Sequence, residues 1–372
     1  MVEARALAIL GSIAVFLTGS SIAGAETSSW ESRVDGPAAP IDKKPPAKAP
    51  AVKAAPVKVI KALPLAPDEK QAPAPRPPPD TTSVFAKTTM PQGDPAYEAF
   101  DNGMYLTALE LGVKAAERGE PQAHTLVGRI YTEGLGTAKN PPLAAQWFAR
   151  GAKLGDPEAM FAYALMLADG RGVDKDRAEA AAYFEAAAAR KHVLANYNLA
   201  LLFLKGDGKP ENPYRALLHM RYAAEAGVAT AQYDLGTMYA TGTGTDPNAF
   251  EAAKWIGKAA AAGHSEAQLD YALILFRGHG VPPDPKRGAV FFRRAAEKGL
   301  ATAQNRLARC YAHGAGVDQN LVEAAKWNFI ARAGGIEDEV LEKMLAKMPR
   351  ADRAKAQLAA QEWRDRMIAG LE

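Results

Sequence analysis

The chain has 372 residues, a formal charge of +3 and a single cysteine, Cys310. One cysteine excludes an intramolecular disulfide framework and a cysteine-built zinc site. Between residues 26 and 93 ten Lys/Arg face seven Asp/Glu, whereas residues 94–372 carry equal numbers of each sign; a neutral domain argues against a nucleic-acid groove, which needs clustered positive charge.

Residues 1–25 have the layout of a secretory signal. Arg5 supplies a positive charge, Ala6 to Leu17 is a twelve-residue apolar run, and Ala23-Gly24-Ala25 gives a small-residue cleavage site. A membrane span takes about 20 apolar residues, so the run is short for one. No cysteine lies near the cut, which excludes a lipoprotein. The expectation is a cleaved signal and a periplasmic protein of a Gram-negative bacterium; the alternative is an uncleaved inner-membrane anchor.

Residues 26–93 form a different polymer. Fourteen of the 26 prolines fall between Pro37 and Pro91. Lys43, Lys44, Lys48, Lys53, Lys58 and Lys61 alternate with Ala, Val and Pro, with no acid between them. Too little apolar surface is available to fold, which predicts a disordered Pro/Ala/Lys-rich linker. In polyproline-like form it reaches about 3.1 Å per residue. Its lysines suit contact with peptidoglycan or an anionic membrane surface.

Residues 94–120 read as an N-terminal partial repeat, with Tyr97 and Phe100 on a short first helix and Ala108, Leu111, Ala115 and Ala116 on a second. From there to residue 336 the sequence repeats six times with a period of thirty-six. Ala123, Ala159, Ala195, Ala231, Ala267 and Ala303 mark the register. Five residues on stands Gly128, Ala164, Ala200, Gly236, Ala272 or Ala308, and three further a bulky apolar residue such as Tyr131 or Phe203. A G-x-G turn follows in every copy, suited to the positive φ that ends a helix. Next comes a helix-capping residue: Asn140, Asp176, Asn212, Asn248, Asp284 and Asn320. Glu179, Glu251 and Glu323 lie three residues after their caps, as in a capping box. The second helix carries a ring at Trp147, Tyr183, His219, Trp255, Phe291 or Trp327, then a pair of small residues, and stops at a glycine except at Lys191. One such hairpin cannot bury its apolar face alone, so six in register predict a stacked α-solenoid. Residues 337–372 leave the pattern. Val340, Leu341, Met344, Leu345 and Met348 form one amphipathic face, Pro349 interrupts it, and Leu358, Trp363 and Met367 mark a second helix, together a C-terminal cap.

The pattern A-x-x-x-L-G-x-x-Y-x-x-G-x-G-x-x-x-[DN]-x-x-x-A-x-x-W-[FY] resembles the Sel1-like repeat, a relative of the tetratricopeptide repeat. Residues 229–263, ATAQYDLGTMYATGTGTDPNAFEAAKWIGKAAAAG, carry it almost position for position. The resemblance implies an all-α fold, a right-handed α-solenoid of helix-turn-helix repeats, and adaptor work in signalling, envelope assembly or localisation.

Little points to chemistry. The histidines His124, His192, His219, His264, His279 and His313 show no H-x-x-x-H spacing, and the glycine turns lack the G-x-x-x-x-G-K-[ST] form of a phosphate loop. His219 takes the ring position of its copy and reads as core filling, as does Cys310, whose counterparts are Ile130, Met166, Leu202, Met238 and Ile274. No catalytic residue, metal ligand or cofactor is expected, and the chain reads as a non-enzyme that binds a protein partner. Two other readings are an envelope anchor that grips through the basic linker, and an enzyme acting on cell-wall fragments.

In the tetratricopeptide relatives the concave wall is lined by first-helix positions outside the packing signature. Carried onto this chain, they form three rows. The first holds Thr125, Phe161, Tyr197, Tyr233, Leu269 and Asn305. The second holds Leu126, Ala162, Asn198, Asp234, Asp270 and Arg306, and the third Arg129, Leu165, Leu201, Thr237, Leu273 and Arg309. The resemblance implies an apolar, aromatic groove for a partner peptide or helix, with Phe161, Leu165, Tyr197, Asn198, Leu201, Tyr233, Asp234, Leu269, Asp270, Leu273, Arg306 and Arg309 as its contacts and Tyr197, Tyr233 and Leu269 as anchors.

Overall fold

The computed structural model describes residues 93–370. The expected signal and the linker up to residue 92 lie outside the described residues. Sixteen helices and no strand are present among the described residues. A short hairpin, α1 (Pro95–Asp101) and α2 (Tyr105–Glu117), opens the array. Six pairs follow: α3 (Pro121–Glu133) with α4 (Pro141–Lys153), α5 (Pro157–Asp169) with α6 (Arg177–Ala189), α7 (Val193–Lys205) with α8 (Pro213–Glu225), α9 (Ala229–Thr241) with α10 (Ala249–Ala261), α11 (Ser265–Arg277) with α12 (Pro285–Glu297), and α13 (Ala301–His313) with α14 (Leu321–Ala333). Each packs on the helix before and after it, the serial contact of an α-solenoid. The terminal helices are α15 (Glu339–Leu345) and α16 (Arg350–Ala369), the latter lying against α14.

The punctuation of each hairpin is local. The first glycine of every turn ends the first helix in the left-handed conformation, and its N–H closes on the carbonyl four residues back, as Gly242 does on Met238. All six expected caps are in place; Asn248 Oδ1, for example, accepts from Glu251 N at 3.0 Å. The capping box does not close. The cap's own N–H is taken by the first helix instead, Asn248 N donating to the Tyr239 carbonyl at 2.8 Å. Glu251, thus released, accepts from Trp255 Nε1 at 3.0 Å and from Lys254.

Three devices join one pair to the next. The second turn glycine has positive φ and rests on the start of the preceding second helix: a Cβ on Gly280 would overlap the Ala249 carbonyl, and Gly172, Gly208, Gly244 and Gly316 sit the same way. Gln232, Gln268 and Gln304 are buried and donate Nε2 to Ala224, Ala260 and Ala296 of the preceding second helix at 3.1, 3.2 and 3.1 Å. These carbonyls lie in a helix's last turn and already accept from the glycine amide three residues on, so the glutamine takes their second lone pair. The small pairs Ala223-Ala224, Ala259-Ala260 and Ala295-Ala296 are fully buried and let the helices close up.

Trp147, Trp255, Phe291 and Trp327 are buried between helices, and Tyr183 and His219 are half-buried at the same position. Cys310 is buried, and burial pushes its thiol up to about 12, in keeping with an apolar filler. At the C-terminal end the expected apolar faces are only partly used. Leu341 and Leu345 are buried but Val340 is exposed, and α16 packs through Ala356 and Ala360 with Trp363 edge-on to Trp327, leaving Leu358 in solvent.

Candidate functional site

The twelve residues expected to line the groove all lie on first helices, α5, α7, α9, α11 and α13. The structure divides them. Phe161, Tyr197 and Leu201 are 2, 5 and 2 % exposed and cannot serve as contacts for a partner, which corrects the expectation for these three. Leu165, Asn198, Tyr233, Asp234, Leu269, Asp270, Leu273 and Arg309 are half-buried, and Arg306 is exposed.

For Phe161 and Tyr197 the cause of the correction is direction. First-row side chains point along the stack, onto the residue that starts the next first helix. Thr125 donates to Asp156, Phe161 stacks on His192 with ring centroids 4.6 Å apart, and Tyr233 stacks on His264 at 4.8 Å. His192 and His264 cap those helices, each accepting through Nδ1 from the amide three residues on. With Nδ1 an acceptor, His192 carries its proton on Nε2, which faces Glu158 Oε2 at 3.0 Å. Burial lowers the pKa of His264 and of His219, so both favour the neutral ring.

A ladder of hydrogen bonds runs up the same wall. Tyr197 donates its hydroxyl to Asp234 Oδ2 at 2.9 Å, and Tyr233 donates to Asp270 Oδ2 at 2.8 Å. Burial, then the neighbouring aspartate, pushes both phenols up. Burial also raises Asp234 to about 6, against the hydrogen bond from Tyr197, and raises Asp270. At the C-terminal end Asp338 takes Arg309 Nε at 2.6 Å and Asn305 Nδ2 at 2.9 Å. Burial opposes its charge, but those bonds and one from the Leu341 amide hold its carboxyl below the usual range.

Sequence reasoning missed this ladder and the buried glutamines. Both leave a mark: a tyrosine followed by an aspartate thirty-seven residues on, twice, and Gln at three successive repeats of the period. Among the described residues no group of three or more His, Cys, Asp or Glu is placed to hold a metal ion, and no helix is long and apolar enough to cross a membrane. An open recess of about 770 Å³ lies away from the wall, between α14 and α16, lined by Phe329, Arg332, Leu358 and Arg364 among others.

The Sel1 repeat family model matches residues 121–156, 157–192, 193–228, 229–264, 265–300 and 301–327, more than half of the chain. Among solved structures, a Sel1 repeat protein from Oxalobacter formigenes is similar, at 28% identity over 66% of this chain and 96% of that one, with a TM-score of 0.56. The protective antigen c5321 of uropathogenic Escherichia coli, which displays an SLR fold, is 28% identical over 70% of this chain and 64% of that one, with a TM-score of 0.47. No curated protein matches. Six matched copies, each a helix pair joined to the next in one register, make the chain a member of the Sel1 repeat family, whose proteins generally mediate protein–protein interaction.

Proposed function

We propose that this chain is a non-enzymatic scaffold of the bacterial cell envelope that binds a peptide or helix of a partner protein along its first-helix wall. One observation carries the reading. Leu165, Asn198, Tyr233, Leu269 and Leu273 keep part of their surface open on successive first helices, while the joints between copies are sealed by alanine, glycine and buried glutamine. Such a strip offers partly desolvated apolar anchors beside polar groups, the composition that partner recognition uses. The signal-like leader supports export, and the six lysines between Lys43 and Lys61 support a tether that sets reach and touches anionic polymer or lipid.

The test is site-specific photocrosslinking of the full chain in living cells. A crosslinker at Leu165 or Leu273 should trap a discrete partner that one at Phe250, 61 % exposed on a second helix, does not. Identical products at all three sites, or none at the first two, would overturn the reading. Cleavage is checked on the protein purified from its own cells: it predicts Glu26 as the first residue, and a retained Met1 would refute cleavage and favour the uncleaved anchor.

A further inference from the structure

The outer face of the second helices carries a pattern that the first-helix wall does not. Three positions, spaced four apart, share one side of each second helix. On α8 they are Tyr214, Leu218 and Tyr222. On α10 they are Phe250, Lys254 and Lys258, and on α12 Lys286, Val290 and Arg294. All of these are exposed. The corresponding positions of α4, α6 and α14 hold alanine, valine, isoleucine, proline, glutamine, lysine or arginine, so no acid stands at any of them in the six copies. Only the opening hairpin departs from this, with Glu110 on α2.

Two properties of the patch on α8, α10 and α12 point the same way. Its apolar members are large and open: Tyr214 and Phe250 are 63 and 61 % exposed, and Leu218 and Val290 are exposed beside them. Neighbouring apolar side chains left in water mark a contact surface. Its cations are short of acids. Among the described residues only Lys254 has a carboxylate, Glu251 at 2.9 Å. Lys258 lies over the Trp255 ring, 4.0 Å from its centroid, and Arg294 over the Phe291 ring at 5.3 Å, while Lys286 has no ion pair. Residues 94–372 are neutral as a whole, so a face without acids is balanced by acids elsewhere. That asymmetry turns the face toward a negative surface.

We propose that the outer face of α8, α10 and α12 docks on an anionic lipid bilayer, with Tyr214, Leu218 and Phe250 entering the headgroup region and Lys258, Lys286 and Arg294 meeting lipid phosphates. The contact uses neither the first-helix wall nor the lysine-rich N-terminal segment. Tyrosine and lysine suit such a boundary, each having an apolar body and a polar tip. A bilayer is favoured over an acidic protein because the cations are dispersed over three helices among apolar side chains. A fluid sheet of charge meets that array without a matching shape, and its interior takes the apolar groups. A second copy is disfavoured, because this face meeting itself sets cation against cation.

The experiment places an environment-sensitive fluorophore on Phe250→Cys in the full-length chain; the native Cys310 is buried and out of the label's reach. Vesicles of phosphatidylglycerol and phosphatidylcholine should shift its emission to the blue, and vesicles of phosphatidylcholine alone should not. The same label on Arg306→Cys, exposed on first helix α13, should stay unchanged, which separates immersion of the face from capture through the N-terminal segment. Lys258→Glu/Lys286→Glu/Arg294→Glu, checked for helicity by circular dichroism, should weaken the binding read at residue 250 by about tenfold or more, and high salt should weaken it too. Equal shifts at 250 and 306 would overturn the proposal, as would vesicle binding that leaves the label at 250 unchanged. A full shift with phosphatidylcholine alone would overturn the role of the cations. A comparable shift with soluble polyglutamate would give the face to an acidic protein, and one that grows with protein concentration in the absence of lipid would give it to a second copy; either overturns the bilayer. None of these outcomes bears on the first-helix wall, which the crosslinks test separately.

Discussion

The joints between copies and the first-helix wall follow opposite rules. At a joint the same devices return at the same place: a glycine against the preceding carbonyl, small residues in the second helix and, in three copies, a glutamine on the last turn of the preceding second helix. On the wall the residue varies along the array, from Phe161 to Tyr197 and Tyr233, then to Leu269 and Asn305. A joint admits few solutions because backbone meets backbone there. The wall needs only part of each side chain for packing, so the remainder is free to differ and to recognise something.

That contrast orders the effects of substitution. The largest belongs to a ring that seals a pair: Trp255→Ala should cost about 3–5 kcal/mol in urea unfolding, and a loss below about 1 kcal/mol would show that the ring is not core. Next comes Gly280→Ala, which adds left-handed strain to overlap with the Ala249 carbonyl and should cost about 2–4 kcal/mol. Gly227→Ala, at the same sign of φ but in open space, should cost only the strain, about 1–2 kcal/mol. Equal losses at the two glycines would refute the close approach.

The wall should respond to pH. Asp234 titrates at about 6 in the fold, above an unfolded carboxyl, so the folded chain holds its proton more tightly. Its contribution to stability is full below the unfolded pKa and is lost as pH rises through about 6. Lowering pH from 7.5 to 5 should therefore add about 1 kcal/mol to the wild-type chain that Asp234→Asn does not gain. Parallel pH profiles for the two would remove Asp234 from that account. The smallest effect is a gain. Lys191 stands at φ 65 where other copies end in glycine, and Lys191→Gly should stabilise by about 1 kcal/mol, read as a higher urea midpoint.

The fold was legible because every joint device is local or repeats at one spacing. Ala231, Gly242, Gly244 and Asn248 each announce a specific backbone need, and their counterparts recur in all six copies. The wall was legible only as a set of positions. That Tyr197 turns along the stack to Asp234 depends on the distance between copies, which no single copy encodes. Phe161 went the same way, onto His192 of the next hairpin, and Leu201 is buried as well. The capping box failed for a related reason: the Asn248 amide found a nearer acceptor in Tyr239 across the turn than its own Glu251 could offer.

The seating of Gly280 on Ala249 has a consequence for how such a chain can change length. Each seat is made by one unit on its immediate predecessor and involves nothing further away. Excising one whole unit brings together two surfaces that already fit, whereas removing a fraction of one leaves a glycine facing the wrong turn. Growth and shrinkage by complete units are therefore the moves the architecture tolerates, and they would shift Arg306 and Arg309, at the far end, relative to the apolar strip without disturbing either.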